Sequence, residues 1–128
     1  MDQLIDNDRA AATIVVVEDD RSLLNALVFA LEADGFNVRA YASAKPLLAS
    51  PVNADCMVID LKLPDLDGLT LIARLRKMGT RAPAILITTN PGRGSRTAAA
   101  AAGVDIVEKP LITDELRARI ATAIAAYR

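Results

Sequence analysis

Five short strand-like runs alternate with segments of helical period, and that alternation restricts the fold of this chain more than any other feature. The runs are TIVVV (13–17), NVRAY (37–41), DCMVI (55–59), AILIT (84–88) and VDIVE (104–108). Strands separated by helices cannot pair as tight hairpins. They pair in parallel through right-handed crossovers, with helices on both faces of the sheet. The expected fold is α/β, a doubly wound parallel sheet of five strands and five helices. In the first helical segment Leu23, Leu24, Leu27, Val28 and Leu31 share one face, Asp19 or Asp20 can cap its start, and Gly35 can close it. In the last, Leu116, Ile120, Ala123, Ile124 and Tyr127 are spaced for one buried stripe.

The 128 residues suit one ordinary domain. Hydrophobic content is 52%, yet no apolar run approaches the ~20 residues needed to cross a bilayer, so a soluble chain without membrane contact is expected. The opening MDQLIDNDRAAA holds three aspartates and does not resemble a secretory signal; residues 1–12 are expected to fray as a flexible tail before a domain spanning 13–128. The lone Cys56 excludes a disulfide framework and reads as a buried structural thiol, which fits a reducing cytoplasm. Net charge is -1, but unevenly placed: residues 1–68 hold twelve acids and five bases, residues 69–128 four acids and ten bases. The first half must therefore carry an acidic site or face. Direct nucleic-acid binding is poorly supported, since two Tyr, two Phe and no Trp offer little base stacking and no helix is densely basic.

In doubly wound sheets the functional crevice opens at the carboxyl ends of the strands, where the winding reverses. The first strand runs into Glu18, Asp19 and Asp20, the third into Asp60 and the fourth into Thr88 and Thr89; Lys109 and Pro110 follow the fifth. In the flavodoxin-like order 2-1-3-4-5 the first and third strands are neighbours, which gathers Glu18, Asp19 and Asp60 around one hole. Such carboxylates repel one another, and either proton uptake or cations must relieve them. Lys109 is one fixed cation, and an all-oxygen ligand set suits Mg²⁺ or Mn²⁺. The chain has no histidine, which removes the usual zinc sites, triads with a His base and a phosphohistidine-carrier role. A dinucleotide fold would place a glycine-rich loop after the first strand, where this chain has EDD.

Taken together, EDD after the first strand, Asp60 before LKLPDLDG, Thr88 ending the fourth strand and the pair Lys109-Pro110 resemble the receiver domain of two-component response regulators, over residues 13 to about 126. The resemblance implies that Asp60 accepts a phosphoryl group from the phosphohistidine of a sensor histidine kinase or a histidine phosphotransfer protein. It also implies Mg²⁺ held by Asp19 and Asp60, with Glu18 acting through water and the backbone carbonyl of Lys62 completing the protein ligands. Lys109 and the Thr88 hydroxyl suit the contacts to phosphoryl oxygens, because a carboxylate attacks a dianionic group only when charge is neutralised and its oxygens are held. Asp20 reads as a helix cap rather than a ligand. The expected role is a phosphoacceptor signalling domain, not an enzyme beyond slow Mg²⁺-dependent self-dephosphorylation. A homodimer through the fourth helix, fifth strand and fifth helix is one arrangement open to it.

Three positions depart from the family pattern. Ile106 stands three before the lysine, where Tyr or Phe is usual; Thr89 stands where Ala or Gly is usual; and the fourth helix opens with the breaker-rich NPGRGSR. These bear on transmission from Asp60 rather than on chemistry at it. No output domain is legible before residue 128, which leaves open a stand-alone receiver or one cut from a longer regulator. Two other readings compete: a degenerate receiver that binds partners without phosphorylation, and a phosphatase with Asp60 as nucleophile. The latter is disfavoured because haloacid-dehalogenase-like enzymes carry a general acid two residues after the nucleophile, where this chain has Lys62.

Overall fold

The computed structural model describes residues 12–111 and 113–127. Five strands, β1 (Thr13–Val17), β2 (Asn37–Tyr41), β3 (Cys56–Asp60), β4 (Ala84–Thr88) and β5 (Asp105–Glu108), alternate with five helices. The helices are α1 (Arg21–Ala33), α2 (Lys45–Ala49), α3 (Gly68–Lys77), α4 (Arg93–Ala101) and α5 (Thr113–Tyr127). All strand pairs are parallel, in the order β2-β1-β3-β4-β5. This is the expected doubly wound fold. The tail expected over 1–12 falls outside the described residues except for Ala12, which is buried and accepts a hydrogen bond from Asn37 N.

The central strands are buried on both faces, which is why their sequences are uniformly apolar rather than alternating. The period of two survives in what each side chain touches. Val15, Val17, Met57, Ile59 and Leu86 face a core completed by Leu47 of α2, Leu71 and Leu75 of α3 and Ala99 of α4. Ile14, Val16, Val58, Ile85 and Ile87 face the opposite core, with Leu27 and Leu31 of α1 and Leu116 and Ile120 of α5. Cys56 belongs to this second core, and burial pushes its thiol pKa up to about 12.

Helix ends follow local chemistry. Asp20 caps α1 by accepting from Leu23 N at 3.1 Å, and Gly35, at φ 94°, takes the left-handed turn after it. Asp67 caps α3 through Thr70 N at 2.9 Å. Three boundaries differ from the sequence reading. β3 begins at Cys56 and includes Asp60: just before it Asp55 is tied to Thr13 through both its N–H and its carboxylate, and the ladder continues past Asp60 as Leu61 N donates to Ile87 O. β5 begins at Asp105, because Val104 N is used to close α4 on Ala99 O. Tyr127 is 43% exposed rather than part of a buried stripe: it rims a cleft beside Asn53 and Arg81. Among the described residues no helix is long and apolar enough to cross a membrane.

Gly68 has a role the turn sequence alone does not reveal. A Cβ there would lie 2.3 Å from the backbone oxygen of Asp60, so the first residue of α3 is packed directly onto the end of β3. Gly68→Ala, at the first helical position, should gain only part of the ~1 kcal/mol propensity difference seen in helix interiors and lose more through overpacking, for a net loss of about 1–2 kcal/mol. Urea denaturation measures it; an unchanged or raised midpoint would contradict the contact.

Candidate functional site

The crevice is built from four strand ends. Glu18 follows β1 directly, its N–H donating to Tyr41 O of β2 at 3.0 Å, and its side chain is fully buried. Asp60, the last residue of β3, pairs in register with Ile87 and is 4% exposed. Lys109 follows β5, its backbone N–H donating to Thr88 O at 2.8 Å, and its peptide bond to Pro110 is cis. These backbone ties aim three long side chains at one point. Lys109 Nζ lies 2.7 Å from Glu18 Oε1 and 3.2 Å from Asp60 Oδ2. Asp19 is exposed at the rim, and single ligand oxygens of Glu18, Asp19 and Asp60 all lie within 4.8 Å of one another.

The remaining oxygens are partly satisfied from the backbone. Asp60 Oδ1 accepts from Lys62 N at 3.1 Å, and Glu18 Oε2 from Asp20 N at 3.0 Å. Glu18 Oε1 is different: the Lys109 ammonium is close enough for an ion pair, yet no hydrogen bond of good direction ends on that buried oxygen. Thr88 is buried at the end of β4, and its hydroxyl donates to Thr89 O at 3.3 Å rather than to a carboxylate. Glu18, Asp19, Asp60 and Lys109 thus converge, Thr88 ends the strand next to β3, and Asp20 serves α1 as its cap.

Electrostatics follow from burial and crowding. Burial raises the Glu18 pKa, Lys109 opposes this, and the neighbouring Asp60 adds to it, leaving the carboxyl at about 7. Burial alone would lower the Lys109 pKa, but bonding to Glu18 and the nearby Asp60 charge outweigh it and hold the ammonium above its ordinary range. The crevice is therefore a partly dry, anionic hole with one fixed cation. It can bind a hard cation, and it can present the Asp60 carboxylate to an electrophile.

One further residue escaped the sequence reading. Asp65 accepts from Ala44 N at 3.0 Å and Lys45 N at 2.9 Å, and these two amides hold its carboxyl below the usual range. The available signal was negative: α2 starts at Ala44-Lys45-Pro46 with no capping side chain of its own.

Comparison with known proteins agrees with this geometry. A family model described as the response regulator receiver domain matches residues 14–121. The transcriptional regulatory protein FixJ of Bradyrhizobium diazoefficiens is 34% identical over 117 residues, covering 87% of this chain and 56% of FixJ. The C4-dicarboxylate transport transcriptional regulatory protein DctD of Rhizobium meliloti is 34% identical over 113 residues, covering 84% of this chain and 24% of DctD. The chain thus spans only part of these relatives' length. Among solved structures, the receiver domain of the Francisella response regulator 1452 superposes with a TM-score of 0.83 at 25% identity, covering 92% of this chain and 100% of that one. The non-phosphorylated HemR receiver domain from Leptospira biflexa gives 0.82 at 27% identity, covering 90% and 95%. Fold and crevice define a phosphoacceptor module of two-component signalling. The chain belongs to the response regulator receiver family.

The raised Glu18 pKa has a testable sign. Unfolded, this carboxyl titrates near 4.5; folded, near 7, so the native state holds the proton over that interval. Its contribution to stability is full below the unfolded value and lost as pH rises through the folded one. Metal-free protein should therefore lose stability between those pH values, and Glu18→Gln should flatten that slope. Parallel slopes for parent and variant in thermal melts across the window would overturn this assignment.

Proposed function

We propose that Asp60 is the phosphoacceptor, and the observation that carries this is its place: the last residue of β3, buried, yet 3.2 Å from Lys109 Nζ at the mouth of the acidic crevice. In the transfer, an Asp60 carboxylate oxygen forms an O–P bond as the P–N bond of a donor phosphohistidine breaks, giving an acyl phosphate and a free imidazole. Lys62 N holds one carboxylate oxygen and orients the group. Lys109 supplies positive charge to the incoming phosphoryl oxygens, and the Thr88 hydroxyl, released from Thr89 O, is the nearby donor from β4.

The residues fit Mg²⁺, with Mn²⁺ as an alternative. The donors are all oxygen, three carboxylates converge within 4.8 Å, and Glu18 Oε1 is buried without a directed hydrogen bond. Glu18, Asp19, Asp60 and the Lys62 carbonyl would hold the ion. Bound there, it would neutralise charge that Lys109 alone cannot. The competing readings fare less well. A phosphatase of the haloacid-dehalogenase type would need an acid where Lys62 stands, and a degenerate receiver would have no need of these converging carboxylates and lysine.

The partner is a sensor histidine kinase or histidine phosphotransfer protein, in the cytoplasm, where a buried high-pKa Cys56 is chemically suited. Transcriptional control, named for FixJ and DctD, is a role open to a longer protein carrying this receiver. A second copy could dock on the α4–β5–α5 face, where Arg96 pairs with Glu108 and Arg119 with Asp105.

For output, α4 is the element best placed to change. Its N-cap, Gly92, has no side chain to offer, and within α4 only Ala99 is buried. Ile106 packs half-buried against the core with a β-branched side chain stiff at its first torsion. The signal therefore passes from Thr88 into residues 89–97 as a change in their order.

Two experiments test this reading. Acetyl phosphate with Mg²⁺ should add one phosphoryl mass, lost on chelation and in Asp60→Asn; equal labelling of the variant would remove Asp60 from the role. Beryllofluoride, a phosphoryl mimic, should alter hydrogen exchange across 89–97. Changes confined to Ile106 and α5 would rule out the α4 route.

A further inference from the structure

The loop between β3 and α3 carries the residues that serve Asp60, and its base is closed by backbone. Leu61 N donates to Ile87 O at 3.0 Å, Gly68 N to Leu61 O at 2.7 Å, and Lys62 bridges to Asp67. Between these points the chain turns through Pro64, Asp65 and Leu66. Leu63 and Leu66 pack on the core, but apolar contact is non-directional and permits sliding. The directed tie at this apex is Asp65, whose two carboxylate oxygens each take one amide at the start of α2.

That start needs an outside partner. Ala44 occupies the N-cap and offers no side-chain acceptor, and Pro46 has no N–H, so the amides of Ala44 and Lys45 would otherwise end on water. Asp65 caps α2 from 20 and 21 residues away. The consequence reaches past α2. β2 and β3 flank β1, and the Asp65 tie joins the segment that follows β2 to the loop that follows β3. The same β2 end is anchored to Glu18 through Tyr41 O. Asp65 thereby completes a ring, from Glu18 through Tyr41, Ala44, Asp65 and Lys62 to Asp60, which fixes where the Lys62 amide meets Asp60 Oδ1.

We propose that Asp65 is a positioning residue for phosphoryl acceptance: by capping α2 in trans it locks the β3–α3 loop so that Lys62 N–H holds the Asp60 carboxylate in its attacking orientation. This rests on Asp60 being the acceptor, and it assigns to Asp65 no contact with the phosphoryl group. An error of about 1 Å in such an orientation can cost about a hundredfold in rate, so a loosened loop should be visible in the kinetics well before the fold fails.

The test begins with metal-free, unphosphorylated protein, where nothing depends on the acceptor chemistry. Asp65→Ala should speed amide exchange at Ala44 and Lys45, and also at Lys62 and Gly68, by about tenfold, the scale of one lost charge-assisted bond. Asp65→Asn, which keeps one carbonyl acceptor, should fall between Asp65→Ala and the parent. Labelling by acetyl phosphate should slow in the same order. Leu31→Ala, in the core on the opposite face of the sheet, lowers stability without touching the loop and should leave Lys62 exchange and labelling rate at parent values. Faster exchange at Ala44 and Lys45 with Lys62 unchanged would overturn the proposal and leave Asp65 a helix cap alone. So would equal slowing of labelling in Leu31→Ala. Failure of Asp60 as acceptor shows separately, as undiminished labelling of Asp60→Asn with the exchange pattern intact.

Discussion

Glu18, Asp19 and Asp60 meet within 4.8 Å against one ammonium, and the surrounding chain answers that imbalance of charge. The repulsion is tolerable because Glu18 and Asp60 are each reached by something positive or polar that the fold supplies at fixed distance, while Asp19 is exposed at the rim. Lys109 comes from the far edge of the sheet, held by Thr88 O, and the amides of Asp20 and Lys62 come from the turns just beyond β1 and β3. No single strand could provide these donors. A parallel sheet brings the carboxyl ends of all its strands to one side, and the neighbours β1, β3 and β4 deliver acid, acid and hydroxyl within two strand spacings. The architecture and the chemistry therefore constrain each other: without the crossovers the acids would be dispersed, and without a cationic answer the crevice would resist closure.

Much of this was legible because the relevant signals are local. The uniform apolarity of TIVVV and AILIT reports strands buried on both sides, and EDD, Asp60 and Lys109 sit where such strands must end. What stayed hidden depends on partners distant in sequence. Asp65 lies in a stretch whose Pro and Gly already account for a turn, so nothing nearby says that its carboxylate is spent on amides 20 residues earlier. Tyr127 has the spacing of a buried stripe, but spacing alone does not say whether the core reaches the last turn of the helix. The boundary of β3 lies one residue later than the apolar run suggests, with Asp55 tied through both its N–H and its carboxylate to Thr13 of the neighbouring strand.

The helices divide by how firmly they are held. α1 and α3 have capping aspartates and bury two and four residues, whereas α4 has a glycine cap and buries only Ala99. Stability in a domain is not uniform, and elements that must move come from its weaker end. Here the weak helix is the next element after Thr88, while the strongly packed α3 follows Asp60, with Gly68 packed against the Asp60 carbonyl. The ends of β3 and β4 are thereby continued by segments of opposite stiffness.

The burial of Cys56 has a practical corollary. Thiol-directed reagents attack the thiolate, and a fully covered sulfur with its pKa near 12 offers them almost none at neutral pH. The native protein is thus chemically silent toward maleimides while folded. A fluorophore or spin probe could be placed through one introduced cysteine on the outer face of α4, with the native sulfur left in place, and its signal would come from that helix alone.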